Sequence, residues 1–393
     1  MDEEGRLVLK KLAETVLKKV TGQPGTVVAV TEERAKQAPP LPYNLSALQI
    51  DASRRFNLNA QKTLDLCQQL YEKHKLITYP RSDCRYLPSG HFGDAQRVTQ
   101  AIATTVPGLA AAVDIAVLSV KSKAWNDDKV SAHHAIIPTS RGVDKSRLSL
   151  DEQNVYELVA RQYLMQFYPP FQYQEKQIDT EVGGGLFISR QKEVVDKGWK
   201  ALLPERKSSS EDPEFSAVRL PDVIKGEGVL CIDGKLDEKQ TSPPRHFTDA
   251  SLLSAMTGIA RYVTDRAIKK VLRETDGLGT EATRAGIIEL LFKRDYLTKK
   301  GKEIHATDIG RRLILSLPEA MTKPDMTAHW ESQLEAISEK KIKYGQFMEP
   351  MIDGLHVFIH QVDNIRFDGL RGLGKASYKK PSVKKSVKQQ SKA

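Results

Sequence analysis

The chain has 393 residues, 40% of them hydrophobic, which is enough to bury sizeable cores. At about 150 residues per domain it makes two or three domains, which excludes a disordered chain or a disulfide-held miniprotein. Sixty Lys and Arg against 50 Asp and Glu leave a net charge of +10, pointing to an anionic partner.

The excess is local. From Gly369 to Ala393, Arg371 and seven lysines stand without an acid, so this tail carries +8 and the rest, 52 basic against 50 acidic, only +2. The tail has too little apolar content to offset its ordering entropy and is expected to be disordered. It reads either as a non-specific, salt-sensitive phosphate binder or as a solubilising appendage. Three scattered cysteines (Cys67, Cys84, Cys231) make neither a disulfide framework nor a CxxC zinc site and fit a reducing cytosol. The acidic start Met1-Asp2-Glu3-Glu4 is unlike a secretory signal. The apolar stretch Val98 to Val120 is interrupted by Pro107, Gly108 and Asp114, so it reads as packed core rather than a membrane span.

In chain order, Leu9, Leu12, Ala13, Val16 and Val20 share a helical face over residues 6 to 20, and a β-branched strand follows from Thr26 to Thr31. Ala38-Pro39-Pro40-Leu41-Pro42 is a stiff connector. Asn59 is placed to N-cap a helix carrying Ala60, Leu64, Cys67, Leu70 and Tyr71. Leu76-Ile77-Thr78-Tyr79 reads as a short buried strand stopped by Pro80. Phe171 to Trp199 has short β-type runs around Gly183-Gly184-Gly185, and Val229 to Ile232 followed by Asp233-Gly234 reads as a hairpin. Between them Arg206 to Glu214 is expected to be an exposed loop. Helical periodicity returns from Phe247 to about Asp363.

The chemistry concentrates in Leu76-Ile77-Thr78-Tyr79-Pro80-Arg81-Ser82-Asp83-Cys84-Arg85. A phenol, with a pKa of about 10, is a poor nucleophile near neutrality, so its attack on a phosphate needs neighbouring cations. A guanidinium two residues on, Arg81, can grip phosphate oxygens bidentately. Spacing alone also fits a half-buried strand tyrosine beside a surface Arg81–Asp83 pair. Gly277-x-Gly279-x-x-Ala282 superficially matches a dinucleotide fingerprint, but that motif follows a strand, and Ile268 to Arg273 reads as helix. The segment offers instead a glycine turn into a helix with Ile287, Ile288 and Leu291 inward. Its free N–H groups and the hydroxyls of Thr280 and Thr283 can hold a phosphate, or merely cap the helix.

LITYPRSDCRYLP resembles the active-site signature of type IA DNA topoisomerases, with wording nearest the bacterial topoisomerase III group. Ser131-Ala132-His133-His134-Ala135-Ile136-Ile137-Pro138-Thr139 and Asp276-Gly277-Leu278-Gly279-Thr280-Glu281-Ala282-Thr283-Arg284-Ala285 are similar to two further family segments in the same order, as are residues 39–49 and 243–253. The resemblance implies that Tyr79 becomes joined to the 5′ end of a cleaved single DNA strand, assisted by Arg81 and His133. Gln49, Asp83, His134, Thr280 and Thr283 then contact DNA, though Gln49 also reads as a solvated helix-surface glutamine. It implies a mixed α/β multidomain toroid fragment: 1–38 the first part of a β-rich arch, 39–168 a helical-rich nucleophile domain, 169–240 the second part of the arch, 241–365 a helical DNA-groove domain, and 366–393 the basic tail.

The family's Toprim domain, with its glutamate and magnesium acids, is not found in this sequence. Mg²⁺ is therefore expected from the family without ligands assigned here, and ATP is not expected. Two functions follow as expectations: an ATP-independent topoisomerase that changes DNA topology and decatenates, or a catalytically impaired single-stranded DNA binder, alone or with a separate Toprim partner. A cytoplasmic, nucleoid-associated monomer working with a RecQ-type helicase and single-stranded DNA-binding protein, away from membranes, completes the expectation. Recombinase and relaxase readings fail because none of the nine histidines stands in a His-x-x-Arg or His-hydrophobe-His pattern.

Overall fold

A computed structural model describes residues 7–204, 219–274, 277–363, 365 and 370. The loop expected at 206–214, the acidic start and the lysines of the basic tail lie outside the described residues. The chain divides into two compact units, Met1–Arg245 and His246–Ala393.

The first unit opens with α1 (Lys10–Val20) and β1 (Pro24–Gln37), the latter twice the length that β-branching alone marked out. Three helices then build the core: α2 (Leu45–Phe56), α3 (Ala60–Glu72) and, beyond α4 (Ala95–Thr105) and α5 (Ala110–Ile115), α6 (Leu150–Leu164). Each begins where a polar side chain satisfies an orphan amide. The Oδ1 of Asn44 accepts from Ala47 N at 3.0 Å, that of Asn59 from Lys62 N at 2.7 Å, and Ser149 with Glu152 forms a capping box. Leu45, Leu48 and Ala52 of α2, Leu64, Cys67 and Leu70 of α3, and Val155, Tyr156, Val159 and Tyr163 of α6 lie in one buried cluster with Trp125 and Phe167. Each buried large apolar side chain contributes about 1.5–3 kcal/mol relative to exposure.

The proline connector is tied to this core through its carbonyls. Gln166 Nε2 donates to Pro40 O, Gln162 Nε2 and Arg85 Nη2 to Leu41 O, and Arg85 Nε to Pro42 O, all at 2.7–2.9 Å. Prolines cannot donate, so side-chain donors must come to them.

After α6, β2 (Phe171–Val182) and β3 (Gly185–Asp196) form a long hairpin whose turn, Gly183-Gly184, needs positive φ at both positions (57° and 78°). These are two full strands rather than several short runs. With β1 and β4 (Gly228–Leu230) they form an antiparallel sheet in the order β3-β2-β1-β4. β4 does not turn back at Asp233-Gly234 as the sequence led us to expect. It pairs with Pro24–Thr26 of β1, which already offers its edge.

The second unit contains α7 (Asp249–Thr257), α8 (Arg266–Glu274), α9 (Arg284–Lys293), a hairpin of β5 (Leu297–Lys300) and β6 (Glu303–Ala306), α10 (Asp308–Ser316), α11 (Asp325–Ser338) and α12 (Tyr344–Asp363). Ile268, Val271 and Leu272 of α8 pack with Ala260, Val263 and Ala328. Among the described residues, no helix is long and apolar enough to cross a membrane.

Candidate active site

Tyr79 follows α3 through a tight reversal. Lys75 adopts φ 58°, and Leu76 N returns to Leu70 O at 2.8 Å, so Leu76 and Ile77 enter the core. The expected strand over 76–79 does not form. A single bridge pairs Ile77 with Pro138, and a proline cannot extend a ladder. Side chains take over the pairing. Thr78 N donates to Ile137 O (2.9 Å), Thr78 Oγ1 donates to Ala135 O (3.1 Å), and the same hydroxyl accepts from Ile137 N (3.0 Å). Four residues on, the fully buried Ser82 donates from Oγ to His134 O (2.7 Å) and accepts from Cys84 N (3.1 Å), while its carbonyl accepts from Leu45 N (3.0 Å). The Tyr79 and His133 segments are thus closed on each other at both ends.

Between those clamps the side chains face solvent. Tyr79 is 41% exposed and stacks on His133, ring centroids 5.0 Å apart and planes 19° from parallel. Tyr71 supports the other side edge-on at 5.9 Å. Beyond His133, its Nδ1 lies 3.7 Å from Asp83 Oδ1. Arg81 is exposed, and no acid among the described residues pairs with it. An exposed phenol, an imidazole against its face and a free guanidinium two residues on leave room for an anion with donors beside it. The parallel stack keeps the His133 nitrogens from aiming at the phenol oxygen, so His133 is set to act on an approaching group rather than as a hydrogen-bonded base.

His134 is a different kind of residue. Burial pushes its pKa below the usual imidazole range, and its Nδ1 lies 2.9 Å from Ala135 O. A carbonyl only accepts, so Nδ1 carries the proton and the ring is held neutral with Nε2 as its acceptor. Gln49 is 1% exposed and donates from Nε2 to Ala60 O at 2.9 Å, joining α2 to the start of α3. It is not the solvated surface residue that the sequence also allowed, and its Oε1 finds no partner among the described residues.

Thr280 and Thr283 belong to the second unit. Both are exposed: Thr280 N donates to Thr283 Oγ1 (2.9 Å), and the two hydroxyl oxygens are 3.1 Å apart. Gly277, at φ 81°, lets the chain pass α7 so closely that a Cβ would stand 2.4 Å from Met256 O. The loop is pinned by Arg284, 1% exposed, which donates to Leu278 O (3.1 Å), Gly279 O (2.9 Å) and Glu281 Oε1 (2.7 Å). The inward stripe of α9 is Arg284, Ala285 and Ile288, and Ile287, expected inside, is exposed because Arg284 occupies that face. Sequence reasoning passed over Thr78, Ser82, Arg85 and Arg284, whose signal was only polar residues beside apolar ones within a motif.

A sequence profile for DNA topoisomerase matches residues 1–349. The chain belongs to the DNA topoisomerase family. Among its topoisomerase relatives it is 51% identical over 387 residues to DNA topoisomerase 3 of Salmonella typhimurium, covering 98% of this chain and 59% of that protein. It is 50% identical to DNA topoisomerase 3 of Vibrio cholerae (96% and 59%), and 35% identical to that of Bacillus subtilis (91% and 50%). The chain thus spans about 59% of the length of the first two. The fold matches full-length topoisomerase I of Thermotoga maritima with a TM-score of 0.62 and 20% identity, over 93% of this chain and 57% of that one. The mixed α/β fold is therefore that of type IA topoisomerases.

Proposed function

We propose that Tyr79 cleaves and rejoins single-stranded DNA. The Tyr79 phenol gives up its proton to solvent as its Oη attacks the phosphorus of a phosphodiester, the P–O3′ bond breaks, the 3′ oxygen takes up a proton, and a 5′-phosphotyrosine ester remains. After another strand passes, the freed 3′ hydroxyl attacks the ester and restores both groups. The phosphodiester bond energy is kept in the ester, so no ATP is needed. Arg81 neutralises charge on the phosphate, but a guanidinium does not release its proton. His133 is the neighbour able to donate one to the departing oxygen. The observation that carries this reading is the exposed Tyr79–His133 stack, with the exposed Arg81 two residues on in the chain and paired to no acid among the described residues.

The described residues around Tyr79 do not fit a Mg²⁺ site, which takes six oxygens in near-octahedral array. Asp83 is the carboxylate at the stack and is paired with His133. No step is therefore routed through that ion. This shortage of oxygen ligands favours, as second reading, a chain that binds single strands and cleaves only when metal acids from outside the described residues are supplied.

In both readings the second unit contributes phosphate contacts: the exposed Thr280–Thr283 turn, and α8, where Arg266, Lys269, Lys270 and Arg273 share one face over about 10 Å. Domain ranges, cytoplasmic location, decatenation and the helicase and single-strand-binding partners rest on the family likeness alone and belong to this proposal.

A 3′-end-labelled single-stranded oligonucleotide, incubated with the chain and Mg²⁺ and then denatured, tests it. A covalent adduct that disappears in Tyr79→Phe supports cleavage. Binding without adduct, even when a relative's Toprim fragment is added, leaves the second reading and overturns the first.

A further inference from the structure

The start of the second unit and its hairpin bring together three metal-ligating side chains that the cleavage reading does not use. Ile304 N donates to Phe247 O at 2.6 Å in an isolated antiparallel bridge, which sets His246 directly opposite His305. Glu303 lies two residues before His305 on the same face of β6. The imidazole centroids are 3.9 Å apart, His305 Nε2 is 3.3 Å from Glu303 Oε2, and the three ligand atoms lie within 4.8 Å of one another.

We propose that His246, Glu303 and His305 bind one Zn²⁺-like transition-metal ion. Two imidazoles and one carboxylate suit zinc, whose bonds of about 2.0–2.2 Å place tetrahedral ligands about 3.4 Å apart. The His305–Glu303 pair is already at that spacing, and a small rotation of the exposed His246 completes it. Two nitrogen donors disfavour Mg²⁺ and Ca²⁺, which take oxygen. The fourth position is left to water. The alternative, a surface His305–Glu303 ion pair, gives no reason for a second imidazole to stand against the first. Lys300, opposite Glu303 in the hairpin register, is a competing cation that limits affinity.

Such an ion clips residue 246 to β6 and closes the stretch that carries α7, α8 and the Thr280–Thr283 turn. Its effect is to stabilise that unit, independently of any cleavage chemistry.

The test uses the full chain, free of any histidine tag and stripped with a chelator, titrated with Zn²⁺ against a chromophoric competitor. One equivalent is expected to bind. Affinity should fall about tenfold or more in His246→Gln and in His305→Gln, both remaining folded by circular dichroism. Zinc at a hundredfold over the parent's Kd should raise the thermal midpoint by about 5 °C or more in the parent chain and by about half of that or less in either variant. Bound Co²⁺ should show d–d absorption without a thiolate charge-transfer band. Equal zinc affinity in parent and variants overturns the proposal, as does a thiolate band, which would place the ion on cysteine.

Discussion

The two motif loops are held in place by opposite strategies. The Tyr79 loop is fastened at both ends, by Thr78 to residues 135 and 137 and by Ser82 to residues 45, 84 and 134, and it rests on a large helical core. Among the described residues the Thr280–Thr283 loop is held mainly by one buried side chain, Arg284, whose guanidinium reaches Leu278 O, Gly279 O and Glu281, with one backbone bond from Leu278 N to Met256 O (2.9 Å) beside it. A side chain proposed to attack phosphorus must meet a close geometry, and it is placed redundantly. A turn proposed only to touch phosphate tolerates looser placement and leans largely on one buried side chain.

The largest effect should therefore come from Arg284→Met. It removes the buried ion pair with Glu281 and the hydrogen bonds to Leu278 O and Gly279 O, at a cost of about 3–5 kcal/mol. Thermal unfolding of the second unit and hydrogen exchange at residues 278–284 measure it. Adding Glu281→Leu should recover part of the loss, because an apolar pair of similar volume no longer strands a charge. A loss no greater than that of an exposed substitution would break the contrast between the loops.

Ser82→Ala removes one clamp of two. The His134 carbonyl and the Cys84 amide lose their partner in a fully buried position, costing about 1–3 kcal/mol, readable as a lower urea midpoint at unchanged slope. The Thr78 clamp stays, so the loop should remain ordered and Tyr79 should keep some adduct formation.

Glu152 gives a smaller and pH-dependent effect. It meets His74 at 3.1 Å, joining the start of α6 to the turn that leads to Tyr79. Burial alone would raise its pKa, but the backbone and hydroxyl of Ser149 together with His74 hold it below the ordinary carboxylate value. A depressed folded pKa stabilises above the unfolded value, about 4.3, and that stability is lost as pH falls through the folded pKa. Glutamine keeps the capping reach without the charge. Glu152→Gln should cost about 1 kcal/mol at pH 7, and the gap should narrow as pH falls below the unfolded value of about 4.3 and close below the depressed folded pKa.

Helix starts and the family motif were legible in the sequence because they rest on local chemistry: Asn59 as a cap, the Tyr79-to-Arg85 run as a signature. What was not legible depends on which distant group arrives. Thr78 and Ser82 act as ladder substitutes only because residues 134–137 lie alongside, Gln49 is buried only because α3 folds back over it, and Ile287 is turned outward only because Arg284 takes the inner position. Charge was misjudged in the same way. Summed over the body it nearly cancels, which directed attention to the tail, yet four cations of α8 gather on one face.

That face yields the smallest effect and a change of sign. Spacings of three and four residues put Arg266, Lys269, Lys270 and Arg273 against one another, and each such like-charged pair costs about 0.2–0.5 kcal/mol. Among the described residues no acid offsets them, while Asp265 only caps the helix, accepting from Ala267 N and Ile268 N. Lys269→Gln removes two of these repulsions and should stabilise the second unit by a few tenths of a kcal/mol. The same change should weaken single-strand binding and lower the slope of log K against log salt by about 0.7 if Lys269 meets a phosphate. A stripe kept at a folding cost should show both signs together. Unchanged salt dependence with the stability gain would leave α8 as a merely solvated face, and the phosphate contacts of this unit would then reduce to the turn that Arg284 holds.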